Sequence, residues 1–83
     1  MVPGNADPIR GKGVFKASCG SCHTLADAGT SGQIGPNLDQ ARPDYETVRA
    51  KVESGGGGMP SFSGRLTPQQ IRDVDAYVAT KAR

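Results

Sequence analysis

Apolar positions along the chain fall into three helical stripes separated by stretches that have no period. The first predicts a helix from Pro8 to about Ser18, with Ile9, Val14 and Phe15 as its apolar members and Arg10, Lys12 and Lys16 solvated. Asp7 before Pro8 supplies a capping carboxylate followed by a proline at the first helical position. Gly11 and Gly13 each weaken such a helix by up to ~1 kcal/mol relative to alanine, which is tolerable where a second helix must come close. Gly11 and Phe15, four apart, share a face. The second stripe is Tyr45, Val48 and Val52, on a helix starting at Pro43-Asp44-Tyr45 and reaching about Ser54, with Arg49, Lys51 and Glu53 on the solvent side. Gly55 through Gly58 end it. The third helix is expected over Pro68 to Lys81, behind a capping box of Thr67 and Gln70. Ile71, Val74, Tyr77 and Val78 form its buried side, and Arg72, Asp73 and Asp75 its wet one.

Between the first two helices, Leu25 to Gln40 shows neither a helical nor a strand period, and Gly29-Thr30-Ser31-Gly32 interrupts it. A loop of that length is unusual in a compact domain, and wrapping around a bound group is one good reason for it. Nothing alternates like a strand over four residues, and no segment repeats. The fold class expected is all-α. Residues 1–6 read as a loose tail or linker, and residues 7–83 as one domain.

Composition sharpens this picture. Only 35% of the 83 residues are apolar, none is tryptophan, and there are 12 glycines and 6 prolines. A chain so short usually needs a staple or a bound group to complete its core. The formal charge of +2 gives no strongly basic face of the kind nucleic acid would demand. No apolar run approaches the ~20 residues of a membrane span, and no signal-peptide core is visible. The chain is expected to be a mature form or a domain of a longer protein, with Met1 added for expression.

The candidate chemistry sits at Cys19-Gly20-Ser21-Cys22-His23, a Cys-x-x-Cys-His run of the kind that attaches c-type haem. Two thiols at this spacing can add to the two vinyl groups of one porphyrin, and the adjacent imidazole of His23 can ligate its iron. His23 is the only histidine, and Cys19 and Cys22 are the only cysteines. Three other readings compete. A Cys19–Cys22 disulfide would close only a tiny loop. A structural zinc site wants four ligands, and the chain offers three candidates. A thioredoxin-type pair should sit near a βαβ pattern, and none is present.

A six-coordinate iron needs a second ligand, and bis-histidine ligation is excluded by the single histidine. With Met1 on the tail, Met59 is the remaining thioether, in a loop opened by glycine and stiffened by Pro60. The plainer alternative is a methionine filling a core gap.

From Asp7 to Lys81 the chain resembles the class I c-type cytochromes, especially the small bacterial and algal ones. Gly11-x-x-x-Phe15-x-x-x-Cys19, Gly35-Pro36-Asn37-Leu38, Gly58-Met59-Pro60-Ser61-Phe62 and the closing helix with Ile71, Val74 and Tyr77 match four family motifs in order. The resemblance implies a cytochrome c fold, with three main helices and loops wrapped around one covalent haem c. It implies Cys19 and Cys22 as the thioether residues and His23 and Met59 as axial iron ligands. The Pro36 carbonyl would accept a hydrogen bond from His23, and Leu38, Phe62 and Leu66 would line the haem. Arg42, Tyr45 and Arg49 are candidates for the propionates, in place of an absent tryptophan.

With both axial positions taken by protein, the expected function is single-electron carriage between redox proteins of a respiratory or photosynthetic chain, by a periplasmic or otherwise extracytoplasmic monomer. Two rivals stand beside it. One is a haem enzyme or gas sensor in which Met59 is displaced. The other is a domain of a larger oxidoreductase or terminal oxidase that relays electrons within one polypeptide.

Overall fold

The computed structural model describes residues 2–82. Four α-helices run in the order α1 (Pro8–Ser18), α2 (Leu38–Ala41), α3 (Tyr45–Ser54) and α4 (Pro68–Lys81). Between α1 and α2, the strands β1 (Thr24–Leu25) and β2 (Thr30–Ser31) pair antiparallel around a 3-10 turn over Ala26–Ala28. The three long helices have the bounds that the sequence predicts. Their caps follow the predicted chemistry too: the Asp7 carboxylate accepts from the Ile9 and Arg10 amides, and Thr67 and Gln70 form both halves of the capping box.

Helix α4 is the centre of the molecule because it packs against both α1 and α3. Gly11 lies where α1 crosses it. A Cβ there would run into the Asp73 carbonyl and come within 2.8 Å of the Tyr77 Cβ, so only glycine admits this approach. Phe15 and Tyr77 meet one turn further on, with ring centroids 5.8 Å apart and tilted by 56°. From α3, Tyr45, Val48 and Val52 are buried, as their stripe predicts.

Two expectations fail on this central helix and on the chain's start. Asp73 and Asp75, read as solvated, are 2% and 0% exposed. A helix with partners on two flanks buries more than one stripe, and amphipathic periodicity assumes a single partner. The segment before Asp7 is not loose among the described residues. Ala6 is buried in a cluster with Tyr45 and Ala76, Val2 packs against that cluster, and the Gln69 amide donates to the Asn5 carbonyl at 2.7 Å. Met1 lies outside the described residues. Ile9, placed with the apolar positions of α1, is exposed. The stretch from Leu25 to Gln40 holds the small ladder and the start of α2, elements too short to show a period. No helix among the described residues is long and apolar enough to cross a membrane.

Candidate functional site

The Cys19–His23 segment continues directly from α1. The Cys19 and Gly20 amides both donate to the Phe15 carbonyl, and the Cys22 and His23 amides both donate to the Cys19 carbonyl. This turn carries Cys19 and Cys22 to the wall of one cavity, with His23 beside them. The chain after His23 is pinned by the Thr30 hydroxyl, which donates to the His23 carbonyl at 2.9 Å and accepts from the Leu25 amide. Thr24 in turn donates to the Gly32 carbonyl at 2.9 Å. The short ladder therefore fixes the backbone on which the imidazole stands.

His23 Nδ1 lies 2.9 Å from the Pro36 carbonyl oxygen. A carbonyl only accepts, so Nδ1 carries a proton, and in the neutral ring the lone pair is on Nε2. Gly35 lies against the ring itself. A Cβ at Gly35 would sit 2.5 Å from His23 Cε1, and the Gly35 amide donates to the Cys22 carbonyl at 2.7 Å. Gly35 is thus part of the site by close packing, a role that the Gly35-Pro36 signal carries but that its spacing alone does not disclose.

Met59 reaches the same cavity from the loop after α3. The Gly56 and Met59 backbones bond to each other in both directions, at 2.9 and 3.1 Å, around a turn in which Gly57 and Gly58 have φ of 61° and 92°. Both angles lie where side chains with a Cβ are strained. Downstream, the Phe62 amide donates to the Val52 carbonyl at 2.8 Å and the Ser61 hydroxyl to the Glu53 carbonyl at 2.5 Å. These bonds tie the methionine loop back to α3.

The cavity measures about 400 Å³. Its walls are mainly apolar: Phe15, Ile34, Leu38, Val48, Val52, Phe62, Val74 and Val78 contribute from five separate parts of the chain. Pro36, Leu38 and Phe62 are among its lining residues. Leu66 does not line the cavity; it is partly buried against the core cluster that supplies the cavity's apolar residues. Nor do Arg42, Tyr45 and Arg49 reach it. Arg42 donates to the Asp39 carbonyl, Tyr45 is buried against Ala76, and Arg49 pairs with Glu46 and Glu53. The polar residues that α3 does present are Thr47 and Lys51. They are four apart and so share a face, but a charged residue off the apolar stripe reads as solvent-facing from sequence.

The competing chemistries do not fit this geometry. Cys19 and Cys22 are both free. Burial first, then Asp75 and Cys22, pushes the Cys19 thiol up to about 11, so it is protonated at neutral pH and inert as a redox thiolate. Among the described residues, no group of three His, Cys, Asp or Glu side chains converges to hold a metal ion. A haem does fit. Two unbonded sulfurs and an imidazole with a free Nε2 face one apolar cavity, which lies within the ~300–1,000 Å³ of ordinary cofactor sites.

Comparison with known proteins places the chain in one family. A family model described as cytochrome c oxidase, cbb3-type, subunit III matches residues 6–78. The cytochrome c6 of Nostoc sp. is 40% identical, covering 93% of this chain and 73% of the relative. Among solved structures, the c-type cytochrome SorU from Sinorhizobium meliloti superposes with a TM-score of 0.84 at 42% identity, covering 90% of each chain. Cytochrome c6 from the diatom Phaeodactylum tricornutum gives 0.75 at 32% identity, covering 93% of this chain and 95% of that one. The match over nearly the whole sequence, together with a cavity walled by the cysteine pair, His23 and Met59, makes this chain a class I c-type cytochrome, an electron-transfer protein with one covalently bound haem c.

Proposed function

We propose that Cys19 and Cys22 would hold the haem through thioether bonds and that His23 Nε2 and Met59 Sδ would ligate its iron. The observation that carries this reading is the His23–Pro36 contact at 2.9 Å, in a cavity that Met59 also lines. When bound, the haem supplies a one-electron Fe(III)/Fe(II) cycle. The Pro36 carbonyl orients the imidazole and raises its basicity. The Met59 thioether favours the ferrous state and so raises the reduction potential. Val48, Val52, Phe62, Val74 and Val78 exclude water from the site, which also favours the less charged iron. With both ligands supplied by the chain, the fitting role is an outer-sphere carrier between redox proteins.

The carrier works as a monomer in an extracytoplasmic compartment, where thioether attachment of haem takes place, and meets its partners in small, short-lived complexes. Covalent attachment is tested by denaturing electrophoresis with haem staining. Stain is expected on the wild-type band and is expected to be lost in Cys19→Ala/Cys22→Ala. Analytical ultracentrifugation of the holoprotein checks for a single monomeric species.

A second reading has one observation in its favour, the match of residues 6–78 to an oxidase subunit family. In it the domain relays electrons to a neighbouring redox centre of a larger assembly. The native gene beyond both ends decides between the two.

A further inference from the structure

Asp75 is fully buried, and neither of its carboxylate oxygens has a hydrogen-bond partner. It lies on the turn of α4 that contributes Val74 and Val78 to the cavity wall. Two residues away, Asp73 shows what a buried carboxylate ordinarily requires. It accepts from the Asp7 amide and the Gln69 side chain at 2.8 and 2.7 Å and from Arg10 Nε at 3.0 Å. A buried carboxylate without such donors is costly as the anion and far less so as the neutral acid.

The charged neighbours do not rescue the anion. From α3, Glu53 and Glu46 oppose it while Arg49 favours it, but Arg49 is committed to both of those glutamates. Tyr45 of the same helix is neutral and is itself pushed up by burial, then by Asp75. On α4, Arg72 donates to Gln69, and its Nε is left without a partner. From the end of α1, the Cys19 sulfur lies within electrostatic reach of Asp75. Burial first, then Glu53, pushes the carboxyl up to about 7.

We propose that Asp75 shifts towards its protonated form when the haem takes up its electron and back towards the anion when the electron leaves, so that proton binding is coupled to electron carriage. The inference rests on the haem reading given above. On reduction, one electron enters the iron from the donor and, in part of the population, one proton from solvent converts the Asp75 carboxylate to a carboxylic acid. On oxidation both depart, the electron to the acceptor and the proton to water. The coupling is electrostatic. A ferric centre carries one more positive charge than a ferrous one and therefore favours the anion behind Val74 and Val78.

The test is a spectroelectrochemical titration of the holoprotein between about pH 5 and 9. For wild type, the ferric-to-ferrous ratio at a fixed applied potential is expected to rise on the order of tenfold across neutrality and to level off on both sides. Asp75→Asn and Asp75→Ala should each flatten the curve. An unchanged slope in both variants would assign the proton to another group, a haem propionate included, and would overturn the proposal while leaving electron carriage intact. A flat wild-type curve would overturn it as well. Redox-difference infrared spectra of wild type labelled with 13C-aspartate need no variant: a protonated carboxyl band gained on reduction supports the proposal, and its absence defeats it. A chain with no reversible one-electron couple would instead sink the haem reading itself.

Discussion

The crossing of α1 with α4 and the cavity beside α4 use the same helix in opposite ways. At the crossing the polypeptide completes every interaction itself. Gly11 lets the backbones close, Phe15 packs on Tyr77, and the Tyr77 hydroxyl donates to Asp27 at 2.6 Å. Asp73 is met there by donors from three side-chain or backbone groups. At the cavity, Val74 and Val78 face space that no side chain fills, and Asp75 behind them is unpartnered. One flank is a finished protein interface, and the other is finished by the cofactor. A small chain with few apolar residues thus closes one flank of α4 with its own side chains and relies on the haem to close the other.

The largest expected effect comes from removing what completes the cavity flank. Cys19→Ala/Cys22→Ala abolishes covalent haem attachment, and a void of about 400 Å³ costs on the order of 10 kcal/mol, close to the whole stability of a small domain. The double variant should be largely unfolded by circular dichroism. A fully helical haem-free protein would show that the crossing alone sustains the fold.

On the other flank, Gly11→Val drives a side chain into the Asp73 carbonyl and should cost ~3 kcal/mol. A melting temperature at or above that of wild type would mean that the close approach of α1 and α4 does not depend on glycine at position 11. Asp73→Ala strands the Asp7 amide, Gln69 and Arg10 without their acceptor, for ~2 kcal/mol, read as a shift in denaturation midpoint.

The two aspartates also predict opposite responses to pH. Burial alone would raise Asp73, but the bonds from the Asp7 amide, Gln69 and Arg10 win and hold it below its ordinary value of 3.8. Its contribution to stability is present above 3.8 and disappears as pH falls through the lower folded value. Asp75, raised from 3.8 to about 7, contributes stability that is fully present below 3.8 and is lost as pH rises through 7. Asp75→Ala should therefore gain stability relative to wild type, by ~1 kcal/mol at pH 8, and gain less at pH 4. An equal gain at both pH values would remove the burial argument for Asp75.

The long helices were legible in the sequence because their signals are local. Asp7-Pro8, Thr67-x-x-Gln70 and the Tyr45, Val48, Val52 stripe each need only one helix to be understood. The Cys19–His23 motif and Met59 were legible because each residue type occurs so rarely here that the candidates are few. What escaped depends on tertiary context. The burial of Asp73 and Asp75 follows from α4 having two partners, which the periodicity of one helix cannot express. Lys51 is exposed as its place off the apolar stripe predicts, but that stripe does not show that it and Thr47 also border the cavity. Leu66 was a haem-pocket candidate by resemblance, and Arg42, Tyr45 and Arg49 were candidates for the propionates; only the packing shows that none of the four lines the cavity. The two-residue strands and four-residue α2 are shorter than any period that could reveal them.

Ligation of the haem iron by Met59 Sδ and His23 Nε2, as proposed, is tested most directly by the near-infrared spectrum of the ferric holoprotein, wild type against Met59→Ala. Wild type should show the weak sulfur-to-iron charge-transfer band of a low-spin centre at neutral pH. The variant should lose that band, fall in reduction potential as water enters the position, and bind carbon monoxide when reduced. A band that persists in Met59→Ala, or that is absent from wild type, would contradict the assignment and place another group on the iron.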